Sequence, residues 1–453
     1  MWITFGLAGF FSCTIFLRYP LVMAAQSAGE KRVFARLTDV IGIGVLTRMV
    51  TRELVDDVIV RTGAREVRNR ALPSRVVVYF VLAMALFSRD SYEEVLRKLV
   101  QGLRSNLILK KDWKVPTSSA VTKARVKLGV APMREIFDVV AVPCAMRSTA
   151  GAWKRGRRLM AIDGIEVDAP DTAENAARFG YSGVKKNHKS AFVKVPAVAL
   201  AECGTHAVVE VEFGTEDDSE HTIAGRLVSY TDKLEAGMLV LTDRGLYSYD
   251  LLTKIVAAGA DVCMRVSATP DLPVLKWLPD GSYLSYAAHP GEKARSQAAL
   301  KSGKIKISDL PGTYVRVVDY EVPGRGDKNE LFTLVTNILG TEEVSALDLA
   351  EAYNERWEIE LTFDELETHQ RGGAVILRSK LPDLVIQELY GYLITHHGVR
   401  QLMVEAADQA ELDPDRMSFT RSVNIIRRQV TSQAAFSPSP AGHGTPRNNQ
   451  RNQ

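Results

Sequence analysis

Two apolar runs that carry aspartates most constrain what this chain can fold into. Asp163 lies in the run Leu159–Val167. Asp243 directly follows the run Met238–Thr242. Short runs of this kind are typical of strands buried in a sheet. A third acidic residue, Glu360, lies in a charged stretch with helical periodicity. Three carboxylates delivered by rigid elements can hold two divalent metal ions, which is what cleavage of a phosphodiester bond requires.

The elements around the aspartates follow the order of an RNase H-like core. The pattern predicts three strands, a helix, a strand, a helix and a final strand. Ligands of such open sheets gather at the carboxyl ends of the central strands, so Asp243 follows from that geometry and Asp163 must face the same cleft. The predicted elements are Leu159–Val167, Phe192–Ala201, Ala207–Phe213, His221–Leu234, Met238–Thr242, Tyr247–Ala258 and Asp261–Val266.

Residues 34–150 precede the strands and have helical periodicity. Within them, Pro116–Ser119 is a strong helix start that opens a short basic helix. This helix carries Lys123, Arg125 and Lys127. A small basic helix after a capped turn could enter a DNA groove, and it could equally form the basic outer face of a helix bundle.

A different composition follows the aspartate strands. Residues 267–330 are rich in Pro, Gly and short alternating runs such as Lys304–Ile307, which predicts a β-rich insertion. One more strand is expected at Leu331–Thr336. The helix that carries Glu360 should start near Ser345.

Helical geometry groups three residues of that helix. At about 100° per residue, Tyr353, Arg356 and Glu360 fall within roughly 60° of one another. A neighbouring apolar stripe would pack on the sheet, while this face presents a phenol, a guanidinium and a carboxylate to the site. The alternative is a surface helix laced with salt bridges, and the two upstream aspartates weigh against it.

Composition sets broad limits. A chain of 453 residues is long enough for about three domains. The four cysteines show no CxxC spacing and the eight histidines no metal-ligand spacing, so neither a zinc site nor a disulfide framework is expected, and a reducing cytoplasm fits. The lack of a GxGxxG or P-loop motif argues against a nucleotide cofactor.

The net charge of +3 says little about partners. One basic cluster before the first aspartate strand could face phosphates or simply be solvated; it consists of Arg147, Lys154, Arg155, Arg157 and Arg158.

The two ends of the chain have unusual composition. Residues Met1–Val22 are apolar but interrupted by Arg18 and Pro20, which leaves too short a run for a membrane span. A misplaced start codon, with Met23 opening the protein, is favoured over an amphipathic or signal segment. After Val430 the composition becomes typical of disorder, and a frameshift would produce it.

These patterns describe an α/β chain in which an RNase H-like core is interrupted by a β-rich insertion and preceded by an all-α N-terminal domain. The expected parts are residues 1–33, an apolar leader or mis-called start; 34–150, a helical N-terminal domain that could bind DNA; 151–266, the first part of the core; 267–330, the insertion; 331–405, the second part of the core with the helix that carries Glu360; and 406–453, a C-terminal segment with a disordered tail.

The acidic motifs together resemble those of the insertion-sequence transposases of the DDE type, in the subgroup marked by a Tyr-Arg-Glu-Lys motif (the insertion sequence four family). The resemblance covers about residues 34–435. Asp171–Asn175 and Phe179–Gly180 also match. The main matching segments, in order and with the insertion between the last two, are Ala161–Gly164, Leu241–Gly245 and Tyr353-xx-Arg356-xxx-Glu360.

The resemblance implies cut-and-paste DNA transposition. Asp163, Asp243 and Glu360 would be catalytic and would bind two Mg²⁺ ions, for which Mn²⁺ could substitute. Arg356 and Tyr353 would hold phosphate oxygens near the cleaved end.

The resemblance also implies partners. These are double-stranded DNA, as the terminal inverted repeats of the element and as target DNA, and a second copy of the chain in a DNA-bound homodimer, with no membrane involved. Lys123, Arg125 and Lys127 would contact DNA. Trp277, in the insertion, is a candidate for holding a flipped base.

One departure from the family pattern affects the expected activity. The family's lysine would fall seven residues after Glu360, where this chain has Glu367. The negative charge of Glu367 would repel a DNA phosphate. Together with the unusual C-terminal tail, this residue predicts weakened or lost transposition.

Three hypotheses remain: an active transposase, an impaired relative that only binds element ends, and an unrelated α/β enzyme acting on a small molecule. A large separation of Asp163 and Glu360 would favour the last.

Overall fold

The computed structural model describes residues 50–66, 72–105, 114–182, 189–267, 272–322, 330–373 and 376–431. The predicted apolar leader at residues 1–33 lies outside the described residues. So do the helical pattern of residues 34–49 and the tail from residue 432 onward.

Five helices precede the sheet in the described part of the chain. The first starts after Thr51, whose hydroxyl accepts a hydrogen bond from the Leu54 N–H. The second is buried almost all round, so it lies inside the bundle. The basic helix starts after Thr117, as the sequence predicts, because the Thr117 hydroxyl accepts from the Ala120 N–H. The helices are α1 (Arg52–Arg61), α2 (Ser74–Leu86), α3 (Tyr92–Ser105), α4 (Ser118–Leu128) and α5 (Ala131–Val140).

Ten strands of the described residues form one mixed sheet. β2, β5 and β6 run parallel to one another, and the other neighbouring pairs are antiparallel. The order is β4-β3-β2-β5-β6-β10-β9-β8-β7, and β1 pairs with β2. The strands are β1 (Trp153–Lys154), β2 (Arg157–Ala169), β3 (Val193–Glu202), β4 (Ala207–Phe213), β5 (Met238–Thr242), β6 (Asp261–Val266), β7 (Lys276–Trp277), β8 (Tyr283–Ala288), β9 (Gly312–Val322) and β10 (Glu330–Thr336).

Helices cover both faces of this sheet. The helices in this part of the described chain are α6 (Ala173–Phe179), α7 (Glu220–Tyr230), α8 (Tyr249–Ala257), α9 (Pro290–Arg295), α10 (Gln297–Lys301), α11 (Ala346–Asn354), α12 (Trp357–Asp364), α13 (Pro382–Gln409) and α14 (Phe419–Thr431). Successive residues of β2 point to opposite faces. Leu159 and Ala161 pack in the cluster that contains α13 and the N-terminal helices, whereas Met160 and Ile162 pack with α7 and α8. α13 contacts both the N-terminal helices and β4, so most of its side chains are buried.

The predicted β-rich insertion is mixed in structure and continues the main sheet. β10 pairs with β6, and β9, β8 and β7 follow outward. The described part of this region also contains α9 and α10. The alternating run Lys304–Ile307 leads into a 3₁₀ turn at Ile307–Asp309 and not into a strand. The Asp309 carboxylate accepts from the Lys306 N–H at 2.7 Å, and this local bond closes the turn.

The helix predicted to carry Glu360 begins where expected but is not continuous. The Ser345 hydroxyl and the Asp348 carboxylate cap its start reciprocally. After α11, the Arg356 N–H bonds to a carbonyl three residues earlier, and three neighbouring amides do the same. This tighter turn separates α11 from α12. After α12 the chain continues as a π-helical segment, Glu365–Gln370, so the predicted single helix is three helical pieces.

Within the described ranges, no helix combines the length and the apolar character that crossing a bilayer takes.

Candidate active site

The sheet register places the two aspartates side by side. Ile162 of β2 pairs with Thr242 of the parallel strand β5, so Asp163 and Asp243 occupy the next position on neighbouring strands. Adjacent strands lie about 4.8 Å apart. Successive residues of a strand point to opposite faces, so Asp163 points away from the side of Ile162 and toward the face on which α12 packs.

Arg356 connects the third carboxylate to this pair. Its Nη1 donates to Asp163 Oδ2 at 3.1 Å, and its Nη2 donates to Glu360 Oε1 at 2.8 Å. Arg356 and Glu360 are four residues apart, so α12 itself aligns them. One guanidinium thus holds carboxylates from β2 and α12 on two neighbouring nitrogens. The large separation of Asp163 and Glu360 that would favour a small-molecule enzyme is not found.

The three carboxylates differ in exposure. The Asp163 side chain is 16% exposed, whereas that of Glu360 is 44% exposed. Burial raises the pKa of Asp163 to about 6; the Gly164 N–H and Arg356 oppose this shift, and the Asp243 and Glu220 carboxylates add to it. Asp163 therefore lies where a further positive charge would favour its ionised form.

The loop after β5 holds Asp243 in place. Asp243 Oδ1 accepts a hydrogen bond from the Leu246 N–H at 3.0 Å. A Cβ atom at Gly245 would lie 3.2 Å from both carboxylate oxygens of Asp243. The glycine of the Asp-Arg-Gly segment therefore leaves this carboxylate its space.

Glu220 is a fourth carboxylate that the sequence analysis did not single out. It is the first residue of α7, and a Cβ at Gly164 would overlap its side chain. Burial, followed by the Asp243 charge, raises the pKa of Glu220. Glu220 is hard to recognise from the sequence, because acidic residues are common in the first turn of a helix, where the helix dipole favours them.

Tyr353 lies beneath Arg356 and away from solvent. The residue is 3% exposed, and its ring packs edge-on against Phe332 at 6.3 Å between centroids. The guanidinium carbon of Arg356 lies 6.0 Å from the Tyr353 ring centroid. Tyr353 therefore supports the arginine, and its own ring is part of the core.

The three basic residues of α4 have different environments. Lys123 and Lys127 are exposed, whereas Arg125 is fully buried. A contact between Arg125 and DNA is therefore not supported, because the guanidinium is enclosed and its donors are used within the fold. They bind, at 2.7–3.0 Å, Gln387, Tyr92, Ser379 and the Leu384 carbonyl, which ties α4 to α13.

The basic cluster before the first aspartate strand is used within the fold. Arg157 donates to Asp261 Oδ2 at 2.6 Å, which links β2 to the start of β6. Arg155 donates to Asp348 Oδ2 at 2.8 Å, which links the same region to α11. These pairs show that part of the cluster joins elements of the fold, while Arg147 and Arg155 stay exposed, as the solvated-surface interpretation predicts. The remaining contacts are Lys154 with Asp348 and Glu351, Arg158 with Glu202, and Arg147 over the ring of Trp153.

Trp277 is exposed but distant from the carboxylates. It is 64% exposed on β7 and packs edge-on against Tyr283 at 5.2 Å. β7 lies five positions from β5 in the sheet order, which corresponds to about 24 Å at the usual strand spacing. The structure therefore does not bring Trp277 to the carboxylate cluster of its own chain.

Glu367, at the position expected for lysine, lies half-buried in the π-helical segment. Its Oε1 lies 3.5 Å from Nη1 of Arg371. Arg371 therefore places a positive charge about one helical turn beyond position 367, where the family pattern has its lysine.

Known proteins match both halves of the chain. Residues 154–392, more than half of the chain, match the family described as Transposase DDE domain, and residues 40–138 match Insertion element 4 transposase N-terminal. Transposase InsG for insertion sequence element IS4 of Escherichia coli (strain K12) is 27% identical over 395 residues, which are 85% of this chain and 82% of the relative. Putative transposase InsZ of the same organism is 26% identical over 196 residues, 43% of this chain and 61% of that protein.

A solved structure of the piggyBac transposase synaptic complex with hairpin DNA resembles this chain with a TM-score of 0.46 and 11% identity, covering 88% of this chain and 82% of its own. The family matches decide the classification: this chain belongs to the DDE transposases of the insertion sequence 4 family.

Proposed function

We propose that this chain cleaves DNA at the ends of an insertion sequence and joins the freed ends to target DNA, with Asp163, Asp243 and Glu360 as its catalytic residues. The observation that carries the proposal is the contact of Asp163 and Glu360 with one guanidinium, beside Asp243 on the neighbouring strand. The strand order β4-β3-β2-β5-β6 supports an RNase H-like core around these residues.

The donor set suits Mg²⁺. Three carboxylates supply the oxygen ligands that this hard ion prefers. Arg356, itself a cation, already lies between Asp163 and Glu360, so the position stabilises positive charge. Two bound Mg²⁺ ions would activate the attacking oxygen and neutralise charge on the leaving oxygen, and Mn²⁺ would substitute.

Arg356 and a metal ion would compete for the same carboxylate oxygens. If Asp163 and Glu360 held metal ions, the Arg356 guanidinium would be free to donate to a DNA phosphate through two parallel N–H groups. Tyr353 beneath it limits where the guanidinium can go. The exchange would link arrival of DNA to completion of the metal site.

Other contacts with DNA would come from exposed side chains. Lys123 and Lys127 on α4 can pair with phosphates. The exposed ring of Trp277 can stack on an unpaired base away from the carboxylates. By analogy with the family, we also propose that terminal repeats and target DNA are the substrates, that the chain forms a homodimer on DNA, and that it acts in the cytoplasm.

The test is Mg²⁺-dependent nicking of DNA that carries the element's own terminal repeats. Alanine at Asp163, Asp243 or Glu360 should reduce nicking to background, while a gel shift shows that the DNA is still bound. Asp364→Ala, an exposed carboxylate at the end of α12, is the matched control and should nick normally. Undiminished nicking in any of the three variants would contradict the proposal.

A catalytically impaired relative that only binds element ends is the second candidate. Glu367 favours it, because a carboxylate repels a DNA phosphate that a lysine would attract. Arg371 offsets part of this repulsion. A strand-transfer assay decides: a gain of about tenfold or more in Glu367→Lys supports impairment, and full activity that this substitution leaves unchanged contradicts it.

A further inference from the structure

We propose a second metal site, formed by His206, Glu358 and Asp415, that binds a divalent ion of the Zn²⁺ type. One ligand atom from each residue lies within 4.8 Å of the others. The three residues come from the turn between β3 and β4, from α12 and from the 3₁₀ turn Pro414–Arg416. Glu358 precedes Glu360 by two residues, so the helix turns it away from the catalytic cleft.

His206 points an unpartnered nitrogen into this cluster. The residue is 4% exposed, and among the described residues its Nε2 has no hydrogen-bond partner. Nε2 lies 3.6 Å from Glu358 Oε2 and 3.5 Å from Asp415 Oδ1. A buried polar atom without a partner is destabilising, and a cation bound between these atoms would remove that cost.

The two distances from His206 Nε2 suit tetrahedral coordination. Zn²⁺ binds nitrogen and oxygen at about 2.1 Å, which places neighbouring ligands of a tetrahedron about 3.4 Å apart. The two distances from His206 Nε2 exceed this by only a few tenths of an ångström, well within side-chain adjustment. Glu355, which hydrogen-bonds to Glu358, or a water can take the fourth position.

The charge of the cluster favours a cation. Glu355, Glu358 and Asp415 bring three carboxylates together around one imidazole. Arg400 Nη1 lies 4.0 Å from Asp415 Oδ1, but Nε and Nη2 of Arg400 are bound to Glu365. An imidazole with carboxylates is a donor set for Zn²⁺ more than for Mg²⁺. This ion therefore differs from the one expected at the catalytic carboxylates.

Metal binding requires one tautomer of His206. Nε2 must offer its lone pair, so Nδ1 carries the proton and donates to Glu365 Oε1, which lies 3.4 Å away. Arg400 also contacts Nδ1 and must then keep only its bonds to Glu365. A carboxylate that orients a metal-bound imidazole in this way is common in metal sites.

The site would fix α12 to the rest of the fold. It joins the helix to the β3–β4 turn and to the segment before α14. Glu360 and Arg356 lie on the same short helical piece or at its start. The proposed ion is therefore a structural one that positions them.

The test uses the full chain with Asp163→Asn and Asp243→Asn, which removes two of the three proposed catalytic carboxylates as competing ligands. After chelation and dialysis, Zn²⁺ binding is measured by calorimetry and thermal unfolding is followed with and without Zn²⁺. We expect one Zn²⁺ per chain and a higher Tm when it is bound. His206→Asn or Asp415→Asn should weaken binding by at least about 100-fold and abolish the rise in Tm, because losing an outer partner alone costs 10- to 100-fold.

The variants are chosen to remain folded. His206 has a positive φ of 57°, a conformation that asparagine tolerates well. Asp415→Asn is isosteric at a side chain that is 33% exposed, so it decides the question if His206→Asn does not fold. Asp408→Asn, an exposed carboxylate on α13, is the control and should bind Zn²⁺ normally. The absence of bound Zn²⁺ in the background protein, or equal binding in Asp415→Asn, overturns the site.

Discussion

α4 and α12 each carry like charges two residues apart, and the fold uses the members of each pair differently. On α4, Arg125 is fully buried and Lys127 is exposed. On α12, Glu358 points inward while Glu360 lies at the candidate active site, beside Arg356. Residues two apart on a helix point about 200° from each other, so like charges at this spacing go to opposite faces.

The two buried charges differ in what surrounds them. All the contacts of the Arg125 guanidinium are with neutral acceptors, and they join two helices. Glu358 accepts one hydrogen bond from the Gly204 N–H but otherwise faces Asp415 and Glu355, and burial, followed by the Asp415 charge, raises its pKa to about 9. A buried charge with a full set of partners stabilises the fold, whereas one that faces like charges calls for a cation. Burial alone therefore does not distinguish a structural charge from a binding one.

The largest effect should separate the two glutamates of α12. Glu360→Gln removes a proposed ligand of the catalytic ions and should slow DNA nicking on the order of 1,000-fold, equivalent to roughly 4 kcal/mol. Glu358→Gln should slow nicking less than about tenfold, because it acts only through the position of the helix. Single-turnover rates on end-sequence DNA measure both. Equal losses would remove the distinction between the two faces of α12.

The next effect concerns stability and separates the two basic faces of α4. Arg125→Met leaves buried acceptors on α13 and Ser379 without donors and should lower the free energy of unfolding by about 3 kcal/mol. Lys127→Met should change it by less than about 0.5 kcal/mol. Urea unfolding of the two variants provides the comparison.

Lys127→Met should instead lower the salt dependence of DNA binding by about one unit of slope, and a normal salt dependence would place this lysine away from DNA.

The sequence sufficed where one local pattern decides the structure. β5 and β6 have the predicted bounds Met238–Thr242 and Asp261–Val266, because strands buried on both faces are continuous apolar runs between turns. The capped starts at Thr117 and Ser345 were equally readable, since the capping side chain lies within three residues of the amide it binds.

What depends on distant parts of the chain could not be predicted. The burial of Arg125 depends on Gln387, which is 262 residues away. The extension of the sheet by β10 depends on a free edge of β6, which no local pattern reveals. His206, Glu358 and Asp415 show no ligand spacing because three separate elements bring them together. Spacing rules detect sites whose ligands share one turn or helix.

A smaller effect tests whether Arg356 competes with metal. Without DNA, Arg356→Gln should tighten Mn²⁺ binding by roughly tenfold, because it removes a positive charge from Asp163 and Glu360. The same variant should slow DNA nicking about 10- to 100-fold, because glutamine cannot donate two charge-assisted bonds to a phosphate. Calorimetry with Mn²⁺ measures the first effect. Arg244→Gln, an exposed arginine beside Asp243, is the control, and weaker Mn²⁺ binding in Arg356→Gln would contradict the competition.

The smallest effect uses a buried imidazole that has no carboxylate beside it among the described residues. His397 is fully buried, and burial, followed by the His396 charge, lowers its pKa to about 3. Between this value and the ordinary pKa near 6.5, the unfolded chain binds a proton that the folded chain does not, so stability falls as the pH falls. From pH 7 to pH 5.5 this group should cost roughly 1 kcal/mol. His397→Gln should lose correspondingly less over the same interval in urea unfolding. An equal loss in both proteins would assign the slope to other groups, of which buried His396, whose pKa burial also lowers, is the next to examine.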